Sequence, residues 1–190
     1  GASTPGTSGS SVATFIGGGA TPSATAATEE WNFTSTLAAG AWATAPALNQ
    51  IRNFGGASNT GTVTAGLVFG GAGTTTASTA VDNAESYDGS SWTEGPDLVQ
   101  VNRNMGSFGT STAAMSCGGT ISAEVEEWDG SSWAEVGDLT TGRTSISGAG
   151  TSTAGLCAGG TNKQLSEEWN GTGWTEGDDL NEKTNMAGSC

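Results

Sequence analysis

The feature that most constrains the fold of this chain is an internal repeat. The segment EEWDGSSWAEVGDL begins at Glu126 and returns 41 residues later as EEWNGTGWTEGDDL, which begins at Glu167. An earlier copy, ESYDGSSWTEGPDL, begins at Glu85, and a degenerate first copy runs through Trp31 and Trp42. A period of roughly 20 to 50 residues is typical of architectures in which each unit buries its apolar surface against its neighbours. The sequence therefore predicts an array of four units.

A pair of adjacent glycines marks each unit. The pair always follows another glycine by nine residues, and the segment between them contains a short apolar run such as TAGLVF or AAMSC. Short apolar runs bounded by glycine are typical of a strand that is buried on both faces. We therefore expect one buried strand before each of the pairs Gly18 and Gly19, Gly70 and Gly71, Gly118 and Gly119, and Gly159 and Gly160.

Two aromatic residues follow in each unit. In the last three units they are separated by four residues, for example Asp88-Gly89-Ser90-Ser91. An Asp-Gly or Asn-Gly pair supplies the positive φ that a tight turn needs, so this spacing predicts a β-hairpin with one aromatic on each strand. The eight positions take up all seven Trp and the single Tyr of the chain: Trp31 and Trp42, Tyr87 and Trp92, Trp128 and Trp133, and Trp169 and Trp174.

Charged residues recur in each unit as well. A Glu precedes the first aromatic by two residues, and a basic residue follows a recurrent Leu by three to five residues. An uncompensated charge is costly to bury, so we expect these residues to form partly buried ion pairs within or between units; the alternative is that both are solvated. The acidic positions are Glu29, Glu85, Glu126 and Glu167, and the basic positions are Arg52, Arg103, Arg143 and Lys183.

The order of these features resembles the kelch motif, over essentially the whole chain. A basic residue, an apolar strand, a Gly-Gly pair, Glu-x-aromatic, a turn and a Trp follow one another in that order. The resemblance implies an all-β fold, a kelch-like β-propeller built from four-stranded antiparallel blades, with the glycine pair closing the second strand and the aromatics on the third and fourth. The spacing of 41 residues is shorter than the roughly 50 usual for kelch, which indicates compact blades with short loops.

We expect residues 1–190 to form a single repeat domain. The units span approximately residues 1–51, 52–102, 103–142 and 143–182, and residues 183–190 begin a further blade or complete the first one. Two topologies follow: a closed ring of four blades, or part of a larger ring. Propellers of roughly four to eight blades are known, and because kelch-like rings usually have more than four blades, we favour the larger ring.

Charge and hydropathy exclude two classes of partner. The net charge is −14 with only five basic residues, so the chain has no means of neutralising a phosphate backbone, and nucleic acid is excluded as a direct partner. No apolar run approaches the roughly 20 residues that cross a bilayer, which argues against membrane insertion. The cysteines Cys117, Cys157 and Cys190 lack metal-ligand spacing, and we expect small buried thiols.

The sequence predicts no catalytic or metal site. Histidine is absent, which removes the commonest general base and metal ligand, and the adjacent carboxylates recur with the repeat as scaffold would. We expect no cofactor; Ca²⁺ alone stays open, because Asp88, Asp129 and Asn170 lie in turns rich in oxygen ligands. Each turn is short of ligands for calcium, so hydrogen bonds from these side chains to the turn backbone are the favoured interpretation.

Recognition in a repeat array falls to the least periodic segments, here residues 20–28, 74–83, 120–124 and 161–164. They are small, polar and nearly uncharged, which suits glycans or identical neighbours. We expect a non-enzymatic structural and recognition module, extracellular or virion-associated, that resembles a tail fibre or adhesin, assembles with other protein subunits and binds a glycan or host receptor. The alternative is a kelch-type adaptor for protein–protein interaction.

Overall fold

The repeat folds entirely into β-strands in the part of the chain that the structure describes. A computed structural model describes residues 6–10, 13–17, 28–32, 41–73, 79–120 and 123–184, with side chains from Thr44 onward. These residues contain sixteen strands and no helix, which confirms the predicted all-β class. Within the same residues, no helical segment is available to cross a membrane.

The sixteen strands form four sheets of four strands, and each sheet is one blade. Blade 1 contains β1 (Gly6–Ser10), β2 (Ala13–Gly17), β3 (Thr28–Asn32) and β4 (Ala41–Ala45). Blade 2 contains β5 (Gly56–Ala57), β6 (Gly66–Phe69), β7 (Ala84–Tyr87) and β8 (Trp92–Glu94). Blade 3 contains β9 (Gly106–Thr110), β10 (Ala113–Cys117), β11 (Val125–Trp128) and β12 (Trp133–Glu135). Blade 4 contains β13 (Ser147–Thr151), β14 (Ala154–Ala158), β15 (Ser166–Trp169) and β16 (Trp174–Glu176).

Strands that follow each other in a blade pair antiparallel, so each blade is a simple meander. The predicted hairpin joins the third and fourth strands, and its two aromatics face each other across the ladder: Trp128 opposes Trp133, and their ring centroids are 5.5 Å apart. Trp31 opposes Trp42 in the backbone register of blade 1. Such cross-strand aromatic pairs stabilise a sheet by roughly 0.2–1 kcal/mol each.

The glycine pairs close the second strand of blades 2, 3 and 4, as the resemblance implied, while Gly18 and Gly19 lie outside the described residues. In blade 3, Gly118 and Gly119 have φ values of 61° and 106°, a region that costs other residues backbone strain. A Cβ on Gly119 would also collide with the side chain of Asn102 and the carbonyl oxygen of Arg103. Glycine is therefore required at this position both for its backbone conformation and for the close approach of the segment that contains Asn102 and Arg103.

The first strands of the blades lie side by side in chain order, β1 next to β5, β5 next to β9 and β9 next to β13. One side chain connects three of these blades: Nδ2 of Asn59 lies 2.7 Å from the carbonyl oxygen of Ser107 and 3.2 Å from that of Gly148. Among the described residues the four sheets are arranged like propeller blades and do not close into a ring. The closed four-bladed topology is thus not the one observed.

The core of the protein lies between the blades. Phe69 of blade 2 packs on Trp133 of blade 3, with ring centroids 4.6 Å apart, and Phe108 of blade 3 meets the edge of Trp174 of blade 4 at 6.5 Å. The Phe108 ring lies over Gly155, where any side chain would overlap it. Small residues on one blade therefore make room for aromatic rings of the blade before it.

The expectation of free buried thiols is wrong for two of the three cysteines. Cys117 on β10 and Cys157 on β14 form a disulfide that joins blades 3 and 4, and both are fully buried. Cys190 lies outside the described residues. The repeat places the two cysteines on facing surfaces of adjacent blades, a relationship that counting and spacing of cysteines cannot reveal.

Candidate functional site

The most distinctive polar chemistry of the described residues lies at the junctions between blades. We call the segment that follows the fourth strand of a blade its exit loop; the four exit loops begin at Leu48, Leu98, Leu139 and Leu180. The first three of these leucines are buried, whereas Leu180 is half-buried. Each of the first three exit loops is held by a carboxylate from the third strand of the next blade.

In the junction between blades 1 and 2, the Glu85 carboxylate accepts hydrogen bonds from two successive backbone N–H groups. These are the N–H groups of Asn49, at 2.6 Å, and Gln50, at 3.1 Å. Glu85 is fully buried, whereas the two donor residues Asn49 and Gln50 are exposed, so the bonds lie at the edge of the junction. We call this arrangement, one carboxylate accepting from two successive N–H groups of the preceding exit loop, the junction clamp.

The clamp repeats at the next two junctions. Glu126 accepts from the N–H groups of Val99 and Gln100 at 2.7 and 3.0 Å. Glu167 accepts from those of Thr140 and Thr141 at 2.6 and 3.4 Å. Hydrogen bonds to a charged acceptor contribute roughly 1.5–3 kcal/mol each. The recurrent Glu of the repeat therefore holds blade to blade through the backbone.

Arginine joins the clamp in blades 2 and 4. Nη2 of Arg52 lies 2.7 Å from Oε1 of Glu85, and Nη1 donates to the carbonyl oxygens of Gly70 and Asn83. Both side chains are buried, at 5% and 0% exposure. The guanidinium thus connects the carboxylate to the carbonyl that ends the second strand.

Arg143 repeats these contacts in blade 4. Its Nη2 lies 2.8 Å from Oε1 of Glu167, and its Nη1 donates to the carbonyl oxygens of Gly159 and Leu165. Burial lowers the pKa of Arg143, and the facing carboxylate of Glu167 opposes that effect. The structure therefore pairs two of the recurrent basic residues with two of the recurrent acidic ones, Arg52 with Glu85 and Arg143 with Glu167.

Blade 3 departs from the pattern, because Arg103 and Glu126 do not form an ion pair. Arg52 and Arg143 stand four residues after the first Leu of their exit loops, whereas Arg103 stands five residues after Leu98. The residue at the fourth position is Asn102, whose Nδ2 donates to the carbonyl oxygen of Gly118 at 2.8 Å. Asn102 therefore takes the place of the arginine, and Arg103 is displaced by one position.

The backbone supports this alignment. Phe54, Asn104 and Ser145 have φ values of 55°, 56° and 59°, and each stands two residues after the arginine position of its exit loop. Among the described residues, Glu126 has no cation within ion-pair distance. Burial raises the pKa of the Glu126 carboxyl, against the two clamp N–H groups, which lower it. Blade 3 thus keeps the clamp without its positive charge.

The remaining two charged positions of the repeat, Lys183 and Glu29, lie toward the two ends of the described structure. Lys183 is exposed and stands at the third position of its exit loop, while Thr184 holds the arginine position. No carboxylate of the described side chains pairs with Lys183. The side chain of Glu29 lies outside the described residues, so its pairing stays a prediction.

The Asp and Asn of the hairpin turns bond to the turn itself. Oδ1 of Asp88 accepts from the backbone N–H groups of Ser90 and Ser91, each at 2.8 Å, and from the Ser90 hydroxyl. These bonds lower the pKa of Asp88 to about 2, and the bond from the Ser90 hydroxyl has the largest effect. Asp129 and Asn170 make the same turn bonds. Within the described part of the chain, no three acidic or sulfur side chains converge as a metal site would require.

The polar loops that follow the glycine pairs are described only in part. Residues 74–78 and 121–122 lie outside the described structure, as do residues 20–27. Thr161, Asn162 and Lys163 are exposed, and Gln164 donates to the carbonyl oxygen of Leu180 at 2.9 Å. Three large apolar side chains are also exposed on the exit loops: Ile51, Val99 and Val101.

No protein-family model matches this chain, and no curated protein matches it significantly. The fold and the junctions define the class: an all-β repeat protein of propeller-like blades that are held to one another by buried carboxylates.

Proposed function

We propose that this chain is a non-enzymatic structural and recognition module of the kelch-like propeller type. It works on a virion or cell surface, as one subunit of an assembly similar to a tail fibre or adhesin, and contacts a glycan or host receptor. The observation that carries the proposal is that the buried carboxylates of the repeat are used in holding blades together.

The junction clamp supports the non-enzymatic part of the proposal. A general acid or base must reach the proton of its substrate, whereas Glu85 and Glu167 lie within blade junctions with exposures of 0% and 1%. Both carboxylates are also occupied by two backbone N–H groups and a guanidinium. They serve as scaffold.

The disulfide supports an extracellular location. Cys117 and Cys157 are bonded across two blades, and disulfides form and persist mainly in oxidising compartments and at virion or cell surfaces. The net charge of −14 and the low number of basic residues agree with a surface that repels anionic lipids and nucleic acid.

Recognition is assigned to the loops that follow the glycine pairs. Thr161, Asn162 and Lys163 expose polar groups on the loop between β14 and β15. Such groups suit hydrogen bonds to sugar hydroxyls, and a rigid scaffold lowers the entropic cost of binding.

The test is glycan-array binding by the 190-residue chain and a Thr161→Ala, Lys163→Ala double variant. We expect the double variant to lose binding at least tenfold, because it removes two exposed donors, of which the Thr161 hydroxyl also lies 3.5 Å from the carbonyl oxygen of Thr144. Thr175→Ala, which removes an exposed hydroxyl on β16, is the matched control and keeps binding. Equal binding by all three chains would contradict the assignment of recognition to this loop.

One observation favours the alternative, a kelch-type protein–protein interaction adaptor. Val99 and Val101 expose apolar side chains on one exit loop, and exposed apolar residues that cluster are a feature of protein-binding surfaces. Under this alternative, Val99→Ser with Val101→Ser abolishes partner binding, while the loop double variant leaves it intact.

A further inference from the structure

Blade 4 differs from blades 2 and 3 in the hairpin turn between its third and fourth strands. The turns of blades 2 and 3 begin with Asp-Gly, at Asp88 and Asp129, whereas the turn of blade 4 begins with Asn170-Gly171. Asn170 is the only asparagine of the sequence that precedes a glycine. Blade 4 therefore has a neutral amide where the other two described turns have a carboxylate.

Three donors converge on the side-chain carbonyl oxygen of Asn170. Its Oδ1 accepts from the N–H of Thr172 at 3.0 Å, from the Thr172 hydroxyl at 2.8 Å and from the N–H of Gly173 at 3.1 Å. Donors fixed around a carbonyl oxygen stabilise the negative charge that develops there when a nucleophile adds to the carbonyl carbon. The turn therefore makes Cγ of Asn170 more electrophilic.

The nucleophile next to this amide is the backbone nitrogen of Gly171. Asn170 and Gly171 are both exposed, so water reaches the pair. Within the described part of the chain, no hydrogen bond has the N–H of Gly171 as its donor, whereas the N–H groups of Asn170, Thr172 and Gly173 are all bonded. The nitrogen of Gly171 is thus accessible and unengaged.

We propose that the blade 4 turn promotes spontaneous deamidation of Asn170, which converts it into the aspartate turn of blades 2 and 3. The Gly171 nitrogen gives its proton to water and bonds to Cγ of Asn170. The Cγ–Nδ2 bond breaks, and the Nδ2 group takes up a proton and leaves as ammonia, which closes a cyclic imide. Water then reopens the ring. Breaking the new Cγ–N bond gives aspartate, and breaking the original peptide bond gives isoaspartate.

The fold already contains the aspartate form of this turn. Oδ1 of Asp129 accepts from the N–H groups of Ser131 and Ser132 at 2.7 and 2.8 Å and from the Ser131 hydroxyl at 2.8 Å. These bonds, the one from the Ser131 hydroxyl most of all, lower the pKa of Asp129. Hydrogen bonds to an ionised acceptor are stronger than those to an amide oxygen. Aspartate at position 170 therefore fits the turn and is held there more firmly than asparagine.

The test is peptide mapping by mass spectrometry of the folded 190-residue chain during incubation at pH 8. We expect the Asn170 peptide to exchange NH for O at least tenfold faster than any peptide with another asparagine. Asn181, which is exposed and precedes Glu182, is the comparison within the chain. Asp88 and Asp129 should form no isoaspartate, because an ionised carboxylate resists attack. An Asn170 peptide that reacts no faster than the Asn181 peptide would overturn the proposal.

Two measurements separate the turn from the Asn-Gly sequence alone. Thr172→Val keeps Asn170-Gly171 but removes the hydroxyl donor, and we expect it to slow the reaction at least threefold. Thr175→Ala, an exposed change on β16, is the matched control and should keep the native rate. The reaction in urea, where the turn is lost, should be slower than in the folded chain. A native rate for Thr172→Val, or a faster reaction in urea, would show that the turn does not promote deamidation.

Asn170→Asp supplies the product directly. We expect this variant to melt at or above the native temperature, because a charged acceptor replaces the amide oxygen. A melting temperature several degrees lower would contradict the conversion of one turn into the other. Deamidation of Asn170 goes beyond the recognition role and does not depend on it, since the hairpin turn contains none of the residues of the loop at 161–164.

Discussion

Asn102 donates its side-chain amide to the carbonyl oxygen of Gly118 at 2.8 Å, and this bond takes the place of one that arginine makes in the blades on either side. The amide is too short to serve both ends of the junction as the guanidinium does. Glu126 therefore lacks an arginine partner. It is 3% exposed and accepts hydrogen bonds from two backbone N–H groups without an opposite charge nearby. Comparing blade 3 with blades 2 and 4 therefore shows what the arginine contributes to the stability of a junction.

Asn102→Arg should be more stable than Asn102→Met. Both changes remove the amide oxygen that accepts from the N–H groups of Arg103 and Thr120, but only the guanidinium can repeat the contact of Arg52 and Arg143 with the Glu carboxylate, for which we expect a difference of about 1–2 kcal/mol in the free energy of unfolding. Urea denaturation measures the change. Asn102→Met, which is long but uncharged, is the control, and an arginine variant less stable than the methionine variant would contradict the assignment.

Stability should depend on pH through Glu126. Its folded-state pKa is raised above the ordinary value of 4.5, so folding favours the protonated carboxyl. The stabilisation is fully present below pH 4.5 and is lost as pH rises through the raised pKa. Glu126→Gln should flatten this part of the profile measured by urea denaturation between pH 4 and 8. Glu168→Gln, an exposed change on β15, is the control for the loss of one negative charge.

Removing the guanidinium from blade 4 should be costly. Arg143→Met leaves the Glu167 carboxylate buried and uncompensated, for which we expect a loss of about 3–5 kcal/mol. The double variant Arg143→Met, Glu167→Gln should recover part of that loss, since the amide oxygen can still accept one clamp bond. Chemical denaturation of both variants measures the difference. An Arg143→Met protein as stable as the native one would rule out a structural role for the pair.

The disulfide should leave one reactive thiol in the unfolded, unreduced protein. Alkylation followed by intact mass analysis should add one label, on Cys190, before reduction and three labels after it. The bond closes a sequence separation of 40 residues, which on chain-entropy grounds stabilises the fold by about 4 kcal/mol. We therefore expect a lower melting temperature in reductant. The labelling result is contradicted if three thiols react without reduction.

Gly119→Ala should destabilise blade 3 by about 1–3 kcal/mol. The φ of Gly119 is 106°, and a Cβ there would collide with Asn102 and with the carbonyl oxygen of Arg103. Gly173 is the matched control, because a Cβ at that position meets nothing within 4 Å. Thermal melting of the two alanine variants measures the contrast, and equal melting temperatures would show that the close approach is unimportant.

The sequence alone predicts the blades but does not predict the contacts at the junctions between them. The glycine pairs and the hairpin between Trp128 and Trp133 have local chemistry that the sequence displays, whereas the four-stranded blade was implied by the resemblance to the kelch motif. The clamp could not be predicted because its donors are backbone N–H groups, which leave no residue signature in the exit loops. Arg103 was misassigned because one extra position separates it from Leu98, and only the alignment of Asn102 with Arg52 reveals the shift.

The junction clamp also bears on how such an array changes during evolution. The carboxylate of one blade binds the peptide groups of the blade before it, and those groups are common to every residue except proline. The glutamate of a duplicated or exchanged blade could therefore bind the backbone N–H groups of the preceding blade, whatever side chains that blade carried. Length and surface sequence are free to diverge under this arrangement, while one glutamate per blade keeps successive copies compatible.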